Sequence, residues 1–271
     1  MVKNLDIPQR KITVSRDPVA YYTRVRSHKR TEILNIIKSK SIFRTNIYYG
    51  KIKVTDQITE YERWCIRTHR RLDRFALDLP PQEFETEGFW FTIPAAIQHE
   101  CDAQGVDLMG ALHAIEHAAI GIFPLMVMVD HRDIGGMSTN YHPQTDGAVI
   151  FIYDGIPGGA GLTSAAFADA QRLLHYAQDV IKACPCESGC PSCVQSAQCG
   201  SGNRPMDKNG AVFILERLEA CKAPKDRIQT ESDGLLSKRR TSRAQEGTQP
   251  YSQNQASGHL YYGVFDLETQ R

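Results

Sequence analysis

The feature that most constrains this chain is a run of five cysteines between residues 184 and 199, CPCESGCPSCVQSAQC. Four thiolates can hold one zinc ion in a tetrahedron, with each sulfur about 2.3 Å from the metal. The spacing C-x-C-x3-C-x2-C suits a single ion, because Gly189 and Pro191 favour tight turns between the cysteines. We leave Cys199 outside the site as a reduced neighbour. The predicted zinc ligands are Cys184, Cys186, Cys190 and Cys193.

Other uses of these thiols stay open from the residues alone. Four cysteines also hold iron–sulfur clusters, and thiols can remain free or form disulfides. The N-terminal residues MVKNLDIPQRKITV lack the apolar core of a signal peptide, and no apolar stretch approaches the length of a membrane span. We therefore expect a cytoplasmic protein, where clustered thiols are more often metal ligands than disulfides. A four-cysteine zinc site is closed, so its expected role is to stabilise the fold.

The pattern of apolar residues predicts an α+β fold. Residues 1–95 are strand-rich, because KITVS, AYYTRVR and NIYYGKIKVTDQITEYERW alternate apolar with polar residues as antiparallel strands do. Residues 96–221 form the predicted zinc-binding domain. They combine helical patterns over 95–122 and 164–183 with two buried strands, FPLMVMVD and AVIFIYD, and a turn-rich stretch between these strands. We expect the strand-rich part to pack on this mixed part, which carries the four-cysteine site.

An arginine-rich patch follows the longest strand pattern. Its members are Arg63, Arg67, Arg70, Arg71 and Arg74. A formal net charge of +1 argues against an electrostatic grip on nucleic acid by the whole molecule. The patch is therefore either a solvated face or a local contact to DNA phosphates.

The segment His113-Ala-Ile-Glu116-His117 matches the H-x-x-E-H pattern of inverted zinc metallopeptidases. At helical spacing the three side chains share one face, so two imidazoles and a carboxylate can meet a metal ion. The alternative is a partly buried helix face that uses these groups for internal hydrogen bonds.

The segment FIYDGIPGGAGLTS joins a predicted strand to a predicted helix through a glycine-rich turn. It lacks the lysine of a P-loop and is not G-x-G-x-x-G. Gly158 and Gly159 therefore serve either close backbone packing or, as the alternative, contact with a DNA phosphate at the helix N-terminus.

The composition changes after Cys221. Residues 222–258 are polar and poor in aromatic side chains, and we predict a disordered linker there. Residues 259–271 regain strand character, and Asp266 and Glu268 fall on one side of that strand. This ending is similar to the first motif of DEDD-type 3′–5′ exonucleases, which implies the first strand of a truncated, inactive RNase H-like domain. A chance match is the alternative.

Several segments together resemble a known family. YDGIPGGAGL, CPCESGCPSCVQSAQCG and GNRPMDKNGA are similar to the C-terminal zinc-binding domain of superfamily-2 DNA helicases related to mitomycin repair factor A. The segments AYYTRVR, LDLPPQEFETEGFWFTIP, GALHAIEHAAIG and DHRDIGG extend the resemblance over roughly residues 15–220. It implies that the zinc ligands are the four cysteines already named, and that His113, Glu116 and His117 belong to a domain that is not a peptidase.

The sequence shows no Walker lysine loop and no acidic helicase box. The resemblance therefore implies ATP and magnesium for a parent helicase and not for this chain, whether it is a separate gene product or a fragment. We expect an accessory region, not catalytic alone, that helps motor domains in cis or in trans to hold single-stranded or forked DNA for repair. Two alternatives stay open: a metallohydrolase that uses His113, Glu116 and His117, and a protein-docking adaptor without DNA affinity.

Overall fold

The structure is a computed structural model that describes residues 2–6, 8–130 and 132–220 of the 271-residue chain. The predicted linker and terminal strand, with Asp266 and Glu268, lie outside these residues and stay predictions.

Six strands come first along the described residues, and two helices, two strands and three helices follow. In chain order they are β1 (Val2–Asp6), β2 (Lys11–Val14), β3 (Tyr21–Ile42), β4 (Thr45–Cys65), β5 (Arg71–Ala76), β6 (Gln82–Thr92), α1 (Ala95–Gln104), α2 (Leu108–Met126), β7 (Ile134–His142), β8 (Gly147–Asp154), α3 (Leu162–Ala168), α4 (Ala170–Ala183) and α5 (Lys208–Glu219). The regular elements described up to Thr92 are all strands, as expected, and the later ones are helices mixed with two further strands.

The main sheet is antiparallel and has the strand order β3-β4-β6-β8-β7, with β5 also paired to β4. β1 and β2 form a separate hairpin. Because β6 pairs with β8, the sheet continues across the predicted boundary at residue 95. The segment boundaries themselves stay predictions.

β3 and β4 form a hairpin that is unusually long, with strands of 22 and 21 residues. At about 3.3 Å per residue, such strands are on the order of 70 Å long. β6 pairs with β4 only from Ile47 to Asp56. The end of the hairpin near Tyr21 and Cys65 pairs with β5 instead, and we call this end the arm.

The core lies where α2 packs between the sheet and the helices α4 and α5. α2 is apolar on most sides, which is typical of a helix buried all round. By length and composition alone it also qualifies as a membrane span, but 61% of that window is buried inside the fold, as in a core helix. On β6 the consecutive side chains of Phe89, Trp90 and Phe91 are all buried, so apolar groups cover both faces of the sheet there.

Three local expectations were wrong. FPLMVMVD is no strand, because α2 continues to Met126; a short apolar run does not distinguish a buried helix from a buried strand. The turn-rich stretch contains β7, whose Gly136 lets α2 approach closely: a Cβ there would lie 2.7 Å from the carboxylate of Glu116. The helix predicted over 164–183 is two helices that meet at Asp169.

Candidate metal centre

The four predicted cysteine ligands converge. The Sγ atom of Cys184 lies 3.6 Å from the Sγ atom of Cys186 and 3.5 Å from that of Cys190. The Sγ atom of Cys193 lies 3.5 Å from that of Cys186 and 3.8 Å from that of Cys190. A tetrahedron with metal–sulfur bonds of about 2.3 Å has sulfur–sulfur edges of about 3.8 Å. The spacing of these sulfurs therefore fits one tetrahedral zinc ion, and the cysteines are free of disulfides.

A tight turn and a helix end bring these cysteines together. Cys184 directly follows α4. The carbonyl of Cys190 accepts hydrogen bonds from the backbone N–H groups of Cys193 and Val194, at 3.0 and 3.2 Å. Gly189 has φ 103°, a conformation that other residues rarely adopt. The backbone N–H of Ser192 and hydrogen bonds with the neighbouring thiols lower the pKa of Cys190 to about 7, whereas burial raises the pKa of Cys193 to about 12.

Lys208, which sequence reasoning missed, ties the cluster to α5. Its buried Nζ donates to the carbonyls of Cys184 and Cys186, at 2.6 and 2.5 Å. Four thiolates and Zn²⁺ carry a net charge of −2, so a cation close by offsets part of it. The only signal in the sequence is a lysine directly after the helix cap Asp207. The cluster thus joins the end of α4 to the start of α5.

The H-x-x-E-H residues do not form the predicted ligand set. His113 and His117 each hydrogen-bond through Nδ1 to a backbone carbonyl, and Glu116 turns to β7, where it accepts a 2.6 Å hydrogen bond from Ser138. The group that could hold a metal is instead His113, His117 and Cys199, whose ligand atoms all lie within 4.8 Å of one another. The metallohydrolase alternative is therefore not favoured.

Cys199 and His113 influence each other strongly. Burial alone raises the pKa of Cys199, but hydrogen bonds with His113 and His117 lower it to about 4. Burial alone lowers the pKa of His113, but the bond to Cys199 and the charge of Glu116 raise it to about 9. Sequence reasoning had treated Cys199 as a bystander, because its partners lie on a distant helix.

A carboxylate of the protein itself accepts hydrogen bonds from the backbone N–H groups of the glycine-rich turn. The carboxylate of Asp154, which is fully buried, accepts hydrogen bonds from the backbone N–H groups of Ala160, Leu162 and Thr163, at 2.6, 3.2 and 2.8 Å. The N–H groups of Gly158 and Gly159 donate to backbone carbonyls. These contacts favour close backbone packing over phosphate binding for this loop.

The predicted arginine patch lies on the arm, and most of its charges are paired. Arg63 pairs with Asp73, Arg71 with Glu62 and Arg74 with Glu60. Arg67 and Arg70 lie in the turn between β4 and β5, exposed, and within the described part of the chain no carboxylate pairs with them. Among the five, these two are the most available for phosphate contact.

The chain is similar to known proteins over most of its length. The model of the MrfA Zn-binding domain family matches residues 115–194. An uncharacterized protein of Methanocaldococcus jannaschii is 44% identical over 110 residues, which are 40% of this chain and 98% of that protein. The uncharacterized ATP-dependent helicase YprA of Bacillus subtilis is 29% identical over 71% of this chain and 25% of its own length. A crystal structure of the DUF1998 helicase MrfA bound to DNA matches with a TM-score of 0.53 and 26% identity, over 80% of this chain and 28% of that one.

A mixed strand and helix fold with four converging cysteines defines a zinc-binding domain of the kind found in these helicases. The chain belongs to the MrfA Zn-binding domain family. It spans about a quarter of the length of the helicases that it matches.

Proposed function

We propose that this chain is the accessory zinc-binding region of an ATP-dependent DNA repair helicase, and that it holds single-stranded or forked DNA. The observation that carries the proposal is the similarity over 80% of the chain to MrfA, a helicase crystallised with DNA. ATP and magnesium belong to the motor domains, which join in cis or in trans, and the four cysteines hold one structural zinc ion. The cytoplasmic location stays a prediction.

The arm supports DNA contact through its mixture of arginine and aromatic side chains. The guanidinium group of Arg24 lies 4.8 Å from the ring centroid of Trp64 and 5.4 Å from that of Tyr22. Proteins that bind single strands combine positive charge for the backbone with aromatic rings on which bases stack. With Arg67 and Arg70 at the adjacent turn, this end of the hairpin offers both.

Removal of the two unpaired arginines tests the DNA contact. We expect the double variant Arg67→Ala, Arg70→Ala to bind forked DNA about tenfold more weakly at low salt, because two phosphate contacts are lost. A plot of log affinity against log salt should become shallower by about one unit for each arginine. Fluorescence anisotropy over a salt series measures both quantities.

The matched control is Arg172→Ala, an exposed arginine on α4, which should leave the affinity and its salt dependence unchanged. If the wild-type chain fails to bind forked DNA even at low salt, the docking-adaptor alternative replaces our proposal. If the double variant keeps the wild-type salt dependence, the assignment of the two arginines is wrong.

A further inference from the structure

His113, His117 and Cys199 converge at a second place, away from the four-cysteine cluster. The Nε2 atom of His113 lies 3.4 Å from the Sγ atom of Cys199, and the centroids of the two imidazole rings are 4.3 Å apart. His113 is buried, and the other two residues are half-buried. Together with β3, β7 and residues 191–205 they line a groove of about 1240 Å³.

Backbone carbonyls select the tautomer of both imidazoles. The Nδ1 of His113 lies 2.7 Å from the carbonyl oxygen of Pro205, and the Nδ1 of His117 lies 2.8 Å from that of Val194. A carbonyl oxygen only accepts, so each Nδ1 carries the hydrogen. In the neutral ring the lone pair is then on Nε2, the arrangement that metal-binding histidines show when a carbonyl holds their other nitrogen.

The sulfur of Cys199 also has hydrogen-bond partners that fix its position. The backbone N–H of Asn203 donates to the Sγ of Cys199 at 3.1 Å, and the hydroxyl group of Ser201 lies 3.2 Å from it. The Nε2 atoms of the two rings and the sulfur therefore meet in one small space. Without a metal, one proton lies between the Nε2 of His113 and the sulfur of Cys199, in keeping with the opposite shifts of their pKa values, and a cation that replaces this proton can be bound by all three atoms.

We propose that His113, His117 and Cys199 form a second zinc site, with a fourth position filled by water from the groove. For a tetrahedral ion with bonds of about 2.05 Å to nitrogen and 2.3 Å to sulfur, the nitrogen–sulfur separation is about 3.5 Å, close to the distance between His113 and Cys199. Two imidazoles and a thiolate are donors that zinc accepts. Glu116 is not a ligand, so this site differs from the metallopeptidase pattern.

The second site would fix a different part of the loop from the first. The four-cysteine cluster ends at Cys193, whereas Cys199 lies in the segment between the cluster and α5. A zinc ion shared with α2 would hold this segment against the core helix. The segment also contacts β3, because Arg26 donates to the carbonyl of Ser201.

Zinc counting on the purified chain tests this proposal without DNA. Its outcome is therefore independent of whether the proposed function is correct. After dialysis with excess zinc and removal of loosely bound metal, mass spectrometry should find about two zinc ions per wild-type chain. Cys199→Ser and His117→Ala should each retain about one. The matched controls Cys65→Ser and His99→Ala lie outside both groups and should retain two.

Cobalt substitution gives an independent reading of the same site. Cys199 supplies one of five thiolates across the two groups, so Cys199→Ser should lower the thiolate-to-cobalt absorption by about a fifth. Far-UV circular dichroism verifies that this near-isosteric variant is folded. A wild-type chain that holds one zinc, unchanged by Cys199→Ser, would overturn the proposal, and so would a second ion that is copper in place of zinc.

Discussion

Replacing Cys190 with serine should release the zinc ion of the four-cysteine cluster and unfold residues 184–206. A three-cysteine remnant binds zinc far more weakly, and in such sites the binding free energy is folding free energy. We expect the free energy of unfolding to fall by more than about 4 kcal/mol, as is typical when a structural metal is lost. Zinc content and amide hydrogen exchange across 184–206 measure the two effects separately.

The control for this variant is Cys65→Ser, at the end of β4, which should keep both the metal and the exchange protection. Treatment of the wild-type chain with a strong chelator should reproduce the loss of exchange protection seen with Cys190→Ser, and it should also remove the ion of the second site. A purified chain that holds no zinc and yet keeps full protection over 184–206 would show that the cluster is not a structural zinc site.

Replacing Asp154 with asparagine should destabilise the protein by about 3–5 kcal/mol, because hydrogen bonds to a buried charged acceptor contribute about 1.5–3 kcal/mol each. The carboxylate accepts from three backbone N–H groups, through both oxygens. An asparagine amide has one oxygen only, so in either orientation its NH₂ group faces a backbone donor. Urea unfolding should show a lower midpoint with an unchanged m-value.

Asp169→Asn is the matched control, because Asp169 is partly exposed and pairs with Arg172 at the surface. Such surface pairs contribute about 0–1 kcal/mol, so little change is expected.

The Asp154 variant also tests the phosphate alternative for the glycine-rich turn. Removal of a negative charge should strengthen DNA binding if this loop contacts phosphate, and should leave it unchanged if Asp154 is the loop's own ligand.

Features that depend only on residues close together in the sequence could be predicted from the sequence. The strand-rich first part and the convergence of the four predicted cysteine ligands each follow from a local pattern, and the spacing of the four sulfurs fits the predicted tetrahedron. Apolar runs were less informative, since FPLMVMVD suits either a buried helix or a buried strand until its packing partners are known. The exonuclease-like ending with Asp266 and Glu268 stays a prediction.

The sequence by itself determined the four-cysteine cluster, because four thiols within ten residues need only tight turns to meet at one ion. The tertiary structure alone decided the role of Cys199, which meets His113 from 86 residues away and so depends on how the loop packs on α2. The tertiary structure also distinguished the ion-paired arginines from Arg67 and Arg70, because an ion pair between two strands depends on the register of those strands. Local spacing can be read along the chain, whereas contacts between distant segments exist only after the core has brought them together.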